Sequence, residues 1–295
     1  MPAIVPNSKI ASQQNNLLAP SVLELKLSTN SAGKTIVTHQ HATHPLRISS
    51  PFRLDEKSSD RAYLYLRNNS PGLFAQDKLE LTLDIQADTK LYLTEQSATK
   101  AHPMGAEDKA EVNYHWQIGD HAMVEFVPEP VILYEDSALE QTTKICLEDS
   151  ASLFWSDIIL PGRLARGENY QFRYYKHLLE VRSLTGELWF CDRLLLTGKQ
   201  NRFQKQQLFS SHPVLGNAVV IMPNLDLNLY QEAIDNLEQD HNQQIITATS
   251  LLPDQRGILI KVLATRSQQI SCYWQAVLNV LRQLNNQSHL SVIPK

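Results

Sequence analysis

A strand–turn–strand unit recurs three times in the middle of this chain, and it limits the available folds more than any other feature. Alternating apolar and polar residues run from Leu79 to Ile85, break at Ala87-Asp88 and resume from Leu91 to Thr94. The pattern returns as Glu111 to Ile118, Gly119-Asp120, Met123 to Val127, and again as Thr142 to Leu147, Glu148-Asp149, Leu153 to Ile159. A period of two puts alternate side chains on opposite faces of a strand. The turn acids Asp88, Asp120 and Asp149 fall roughly thirty residues apart. Gly-Asp between alternating runs is a signal for a two-residue hairpin. A strand pair repeated at fixed spacing predicts stacked layers, as in a solenoid or a strand-rich sandwich.

The flanks extend the strand pattern. Val22–Leu27, Lys34–His39 and Tyr63–Leu66 read as strands before the repeat. Tyr170–Tyr174, His177–Ser183, Glu187–Leu196, Gln244–Ser250 and Gly257–Ala264 read as strands after it. Two late segments switch to helical spacing. Leu225–Gln239 carries Leu229, Ala233, Ile234 and Leu237, and Gln268–Leu284 carries one stripe of Ile270, Tyr273, Trp274, Val277, Leu278 and Leu281. The reading is mainly β with two C-terminal helices. A loose leader over residues 1–20, rich in Asn, Gln, Ser and Pro, precedes one domain over residues 21–295.

Composition excludes several functions. A formal charge of −4 lacks the basic field of a nucleic-acid binder. No stretch approaches the ~18 apolar residues of a membrane span. Cys146, Cys191 and Cys272 form no CxxC pair, so a structural zinc site is unsupported. Sparse, odd-numbered cysteines suit a reducing compartment, and the N-terminus lacks a signal-peptide pattern, so a cytoplasmic location is expected.

Catalytic patterns fail one by one. Gly33-Lys34-Thr35 resembles the end of a phosphate-binding loop, but position 28 is Ser28 where a glycine is needed, and a strand pattern follows instead of a helix. It reads as a turn between strands. No GxSxG or HExxH occurs.

Other residues invite a metal or polar-passage reading. His39 and His41 share one face of a strand, which suits imidazole ligation, or they are two exposed strand histidines. His102 follows the polar run Glu95 to Lys100, which either presents polar groups to a partner or channel or is a solvated loop. Asp157 and Asp192 are embedded in apolar strands, Leu153–Leu160 and Glu187–Leu194. An ionised carboxylate buried without partners is very costly, so each is paired, hydrated or facing outward. Functional acids and structural ion pairs both account for them.

Several segments in order resemble the urease accessory protein family UreD, also called UreH. Pro71 to Leu79 is similar to its Gly-rich segment ending in Asp, with Ala75-Gln76 in place of the second glycine pair. Leu91 to Lys100, Glu125 to Pro130, Phe154 to Arg163, Glu187 to Arg193 and Pro213 to Gly216 follow in the family's order. The resemblance implies a mainly β protein whose strand layers stack in an irregular β-helix-like arrangement, with two helices near the C-terminus. It implies binding to UreF, through it to the GTPase UreG, and to apo-urease, with no catalytic role. No cofactor is expected to be tightly held; nickel is expected in transit along an internal polar passage. That passage corresponds here to Asp77, Thr99, Lys100, Asp157 and Asp192. A β-rich binding module with no conduit is the alternative, in which the same polar residues are structural.

Overall fold

The computed structural model describes residues 19–55, 59–199, 211–223, 226–241, 245–291 and 293–294. The leader expected over residues 1–20 lies outside the described residues up to residue 18.

The chain begins with β1 (Ser21–Thr29) and β2 (Thr35–Ala42), then β3 (Leu46–Ile48) and β4 (Ala62–Asn68). The repeat supplies β5 (Lys78–Ile85), β6 (Lys90–Glu95), the short β7 (Thr99–Ala101), β8 (Ala110–Ile118), β9 (Met123–Val127), the short β10 (Val131–Leu133), β11 (Ala138–Leu147) and β12 (Ser152–Leu160). β13 (Tyr174–Ser183), β14 (Leu188–Thr197) and β15 (Val214–Ile221) follow. Helix α1 (Leu227–His241), β16 (Ile245–Leu251), β17 (Ile258–Ala264) and helix α2 (Ser267–Leu284) complete the order.

The repeat builds a solenoid, and it does so without hairpins. β5, β8 and β11 join one sheet, while β6, β9 and β12 join another. Each strand pairs in parallel with its counterpart in the next copy. The acidic turns are therefore corners that carry the chain from sheet to sheet, which corrects the hairpin expectation. The corners stack on one another. The Asp88 N–H donates to the Asp120 carbonyl at 2.9 Å, Gly119 N–H to Ile85 at 2.8 Å, and Glu148 N–H to Ile118 at 3.0 Å. A Cβ on Gly119 would lie 2.8 Å from the backbone nitrogen of Ala87, so this corner seats under the last one only as glycine.

The first sheet runs β14-β13-β11-β8-β5-β1-β2 and the second β16-β17-β15-β12-β9-β6-β4-β3, with β7 and β10 beside β12. One core fills the space between the sheets, around Leu81, Trp116, Phe126 and Trp155. A second lies between the outer face of the second sheet and the helices, around Phe154, Val220, Ile260 and Trp274. The apolar stripe foreseen on α2 is buried there. Gly216 on β15 permits this approach: a Cβ there would sit 2.6 Å from Ile270 Cγ2.

Two further expectations change, and the turn expected between the first strands holds. Tyr170–Tyr174 is mostly a bend, because Tyr170 takes a φ of 53° and anchors its hydroxyl on the Pro213 carbonyl at 3.2 Å; the strand starts at Tyr174. Only α2 is C-terminal, since α1 sits between β15 and β16. Gly33-Lys34-Thr35 closes the β1–β2 hairpin as a turn, with Asn30 Oδ1 accepting from the Ala32 and Lys34 N–H groups at 3.0 Å each. No described helix is long and apolar enough to cross a membrane.

Candidate functional site

Strand parity fixes where Asp157 points. On β12, Leu153, Trp155 and Ile159 face the first sheet, and Phe154 and Ile158 face the helices. Asp157 shares parity with the inward set and is 4 % exposed. Its Oδ1 accepts from the backbone N–H of Asn217 at 3.1 Å and from Asn217 Nδ2 at 2.7 Å. Asn217 is its register partner on β15. Oδ2 accepts no hydrogen bond and lies 3.5 Å from Nδ1 of His177, which reaches across from β13. The other ring nitrogen of His177 is 3.2 Å from Thr143 Oγ1. The carboxylate is thus half satisfied in a site where full satisfaction is the rule.

Asp157 lines two cavities. The larger, with about 40 Å³ open to water centres, is bordered by Glu95, Ser97, Thr99, Tyr114, Glu129 and Gln141 among leucines. The smaller, with about 10 Å³, is bordered by His177, Asn217 and Asp192, with Trp155 and Leu194. A water needs roughly 10–15 Å³ of such space, so the first has room for a short file of waters and the second for about one. Asp192, on the solvent side of the smaller cavity, pairs with Lys261 of β17; both are about a third or more exposed.

Three of the five anticipated passage residues, Thr99, Asp157 and Asp192, therefore border this pair of cavities. The other two lie off it. Lys100 borders neither cavity. Asp77 lines a separate open groove with Gln76, Lys78 and Glu107, and its Oδ2 accepts from the Phe74 N–H at 2.8 Å, closing its own turn.

Two buried titratable residues of the cavities are not singled out in the sequence, where Glu95 reads only as the start of a polar run. Glu95 has the parity of buried Leu91 and Leu93, and His177 that of Tyr175 and Leu179, so alternation carried the signal for both. Burial pushes the Glu95 carboxyl up to about 8. The charge of Glu129 adds to this, and a hydrogen bond with Tyr114 opposes it. Burial also raises the Tyr114 hydroxyl, with the charge of Glu95 reinforcing it.

The three candidate metal histidines are not gathered into one centre. His39 and His41 lie exposed on β2, opposite Lys26 and Glu24, with His39 Nε2 4.0 Å from Glu24. His102 stacks on Phe74 at 4.5 Å between ring centres and meets Tyr134 edge-on. Among the described residues, no group of three or more His, Cys, Asp or Glu side chains is placed to hold an ion.

A second buried charge cluster fixes α2 on the sheet. Arg282 donates through Nε to Glu125 at 2.9 Å and through Nη1 to Asp55 at 3.2 Å. Arg61 donates to the same Asp55 and sits 3.2 Å from Glu125. Burial pushes the Glu125 carboxyl up, but Arg61 and Arg282 more than reverse this and hold it below its ordinary range. Two cations and two anions balance, which accounts for a cluster this deep without assigning it a ligand.

Comparison with known proteins agrees with this architecture. The family model described as UreD urease accessory protein matches residues 20–294. A urease accessory protein UreD of Trichodesmium erythraeum is 48% identical over 274 residues, covering 92% of this chain and 98% of the relative. UreD of Bacillus cereus is 25% identical over 80% of this chain and 84% of its own length. UreD 2 of Brucella abortus is 22% identical over 85% of this chain and 83% of its own. These relatives are named as accessory proteins to urease.

Proposed function

The chain belongs to the UreD family of urease accessory proteins, acts in urease maturation and is not itself an enzyme; from that premise we propose that it binds UreF, through it UreG, and passes nickel toward apo-urease along its inward-facing carboxylates. The observation that carries this reading is the half-satisfied carboxylate of Asp157 at the wall shared by two internal cavities, each bordered by some polar side chains. A hydrated divalent cation cannot cross an apolar core, because an uncompensated buried charge is prohibitive. A file of waters bordered by carboxylates lowers that barrier. Oxygen ligands hold nickel less tightly than thiolate or imidazole, which favours release over storage. Lys261 supplies the counter-charge at Asp192 when no ion is there. We place this work in the cytoplasm, where the three free thiols Cys146, Cys191 and Cys272 stay reduced.

A docking module without a conduit is the second reading. It draws on the Asp192–Lys261 pair and on the Asn217 and His177 contacts to Asp157. Co-expression with UreF, UreG and apo-urease separates the two. Asp157→Asn and Asp192→Leu are expected to keep partner capture while nickel per urease, read by elemental analysis, drops severalfold. Full nickel occupancy in both variants would leave only the docking role.

A further inference from the structure

Asp157 is held unevenly. Two N–H groups of Asn217 fix Oδ1, while Oδ2 accepts no hydrogen bond and faces Nδ1 of His177 at 3.5 Å. That separation is just beyond an ordinary N–H···O bond. The opposite ring nitrogen, Nε2, meets Thr143 Oγ1 at 3.2 Å. Trp155 of β12 and Tyr175 of β13 flank the imidazole, with ring centres 5.5 Å and 6.1 Å away. Asp192 and Asn217 share the smaller cavity with it, and Asp192 is paired with Lys261. His177 is 6 % exposed, Asp157 4 %, and Thr143 is fully buried. Two constraints converge on the position of the ring proton. A buried hydroxyl that donates to nothing is costly. Among the described residues Thr143 Oγ1 has no hydrogen-bond partner besides Nε2, and Thr143 borders neither cavity, so its O–H has one place to donate. Nε2 then accepts through its lone pair, and the proton of a neutral imidazole sits on Nδ1. Independently, a lone pair on Nδ1 would repel the charge of Oδ2, whereas an N–H there attracts it.

We propose that Thr143 and His177 are positioning residues for Asp157, forming an oriented relay in which the threonine O–H donates to Nε2 and Nδ1–H points at Oδ2. The inference rests on the passage reading and names what holds its central carboxylate in place. Thr143 of β11 and His177 of β13 stand in the first sheet and Asp157 of β12 in the second, so the relay bridges the two. Asn217 keeps Oδ1 from turning, and the N–H of His177 offsets part of the cost of burying the charge. The 3.5 Å gap leaves Oδ2 free to meet water of the cavities that Asp157 lines, where a full hydrogen bond would occupy it. Outer partners of this kind orient a ligating group without touching the ion. No proton is transferred and no bond is made; the relay acts through orientation alone.

The side-chain amide of asparagine places an N–H where Nδ1 of histidine stands, and that of glutamine places one where Nε2 stands. His177→Asn and His177→Gln, each in the full-length chain co-expressed with UreF, UreG and apo-urease, therefore separate the relay from packing. His177→Asn is expected to load urease within about twofold of wild type and His177→Gln severalfold less, read as nickel per urease by elemental analysis. If a thermal melt shows His177→Gln unfolded, Thr143→Ser against Thr143→Val repeats the comparison at the other end of the relay, with loading kept in the first and lowered severalfold in the second. Heteronuclear NMR of the full-length chain supplies a readout that packing does not move. The ring of His177, assigned by its loss in His177→Asn, is expected to carry its proton on Nδ1 in wild type and on Nε2 in Asp157→Asn, whose amide can donate to Nδ1. A proton on Nε2 in wild type, or equal loading by the two members of the pair compared, overturns the relay. Normal nickel loading of urease by Asp157→Asn overturns the passage itself. Impaired loading by Asp157→Asn together with equal loading by the compared pair removes the relay alone.

Discussion

Glu95 ties folding stability to pH in a direction opposite to that of most carboxylates. Its folded acid is raised from an ordinary 4.5 to about 8, with burial as the main cause. A raised folded value means the folded state binds more protons than the unfolded state. The stability this group contributes is therefore complete below pH 4.5 and is lost as pH climbs through 8. By pH 8.5 the raised value costs the fold on the order of a few kcal/mol relative to a carboxyl of ordinary acidity. Replacing it with an amide of the same shape removes that penalty. In thermal melts of Glu95→Gln and wild type, the variant's Tm is expected to gain on wild type steadily from pH 5 to pH 8.5. A constant difference across that range would show that Glu95 is ionised throughout. At this scale the sequence was most informative where a polar residue broke an apolar parity. Asp157 announced itself in that way. Glu95 did so less clearly, because it closes its strand and leads into the polar run after Leu93. Lys100 and Asp77 show the opposite limit: an adjacent sequence position or an ordered motif does not place a side chain on a given cavity wall.

At the level of elements, α2 is held by packing and by charge. Its stripe of Ile270, Trp274 and Leu281 is fully buried, and Arg282 beside it is 2 % exposed within the Asp55, Arg61 and Glu125 cluster. Removing one member of a buried ion cluster leaves a charge without compensation, and such changes cost about 3–5 kcal/mol. Arg282→Met is therefore expected to lower stability by that amount in urea unfolding, since Glu125 and Asp55 then face Arg61 alone. Arg282→Met combined with Glu125→Gln balances the remaining charges and is expected to recover much of the loss. A double variant no more stable than the single one would mean that the charges are not coupled. Gly216→Val tests the packing half: its side chain meets Ile270 and Trp274, and overpacking of this kind costs about 1–3 kcal/mol. The stripe on α2 was legible because a period near 3.6 has few other readings. The ion cluster was not, since Asp55 and Arg282 are brought together only by the return of the chain across the second sheet. The corners were legible as turns but not as corners: alternation gives the faces of a strand and says nothing of which strand it will pair with. Stacking won over hairpin pairing because each corner satisfies its backbone groups on the next one.

Across the whole molecule, the solenoid separates two surfaces from one interior. On the proposed reading, partner docking would use the outer faces of the sheets and helices, whereas cation passage would use the space between the sheets, where Asp157 and Glu95 lie. A substitution that fills that space without touching an outer face should uncouple the two roles. Val112 of β8 meets this need, being 5 % exposed and lining the larger cavity. Val112→Phe adds a ring where the open volume is only about 40 Å³. The expected stability cost is about 1–3 kcal/mol, which a domain of ordinary stability survives. Urease matured with this variant is expected to keep its associated accessory proteins in a pull-down but to carry severalfold less nickel, with no carboxylate altered. This differs from Asp157→Asn, which changes charge at nearly constant shape. If both variants deplete nickel while docking persists, the route runs through the cavity and not over the surface. If Val112→Phe loads urease normally while remaining folded, water and cations do not need this space, and the polar residues around it serve the fold.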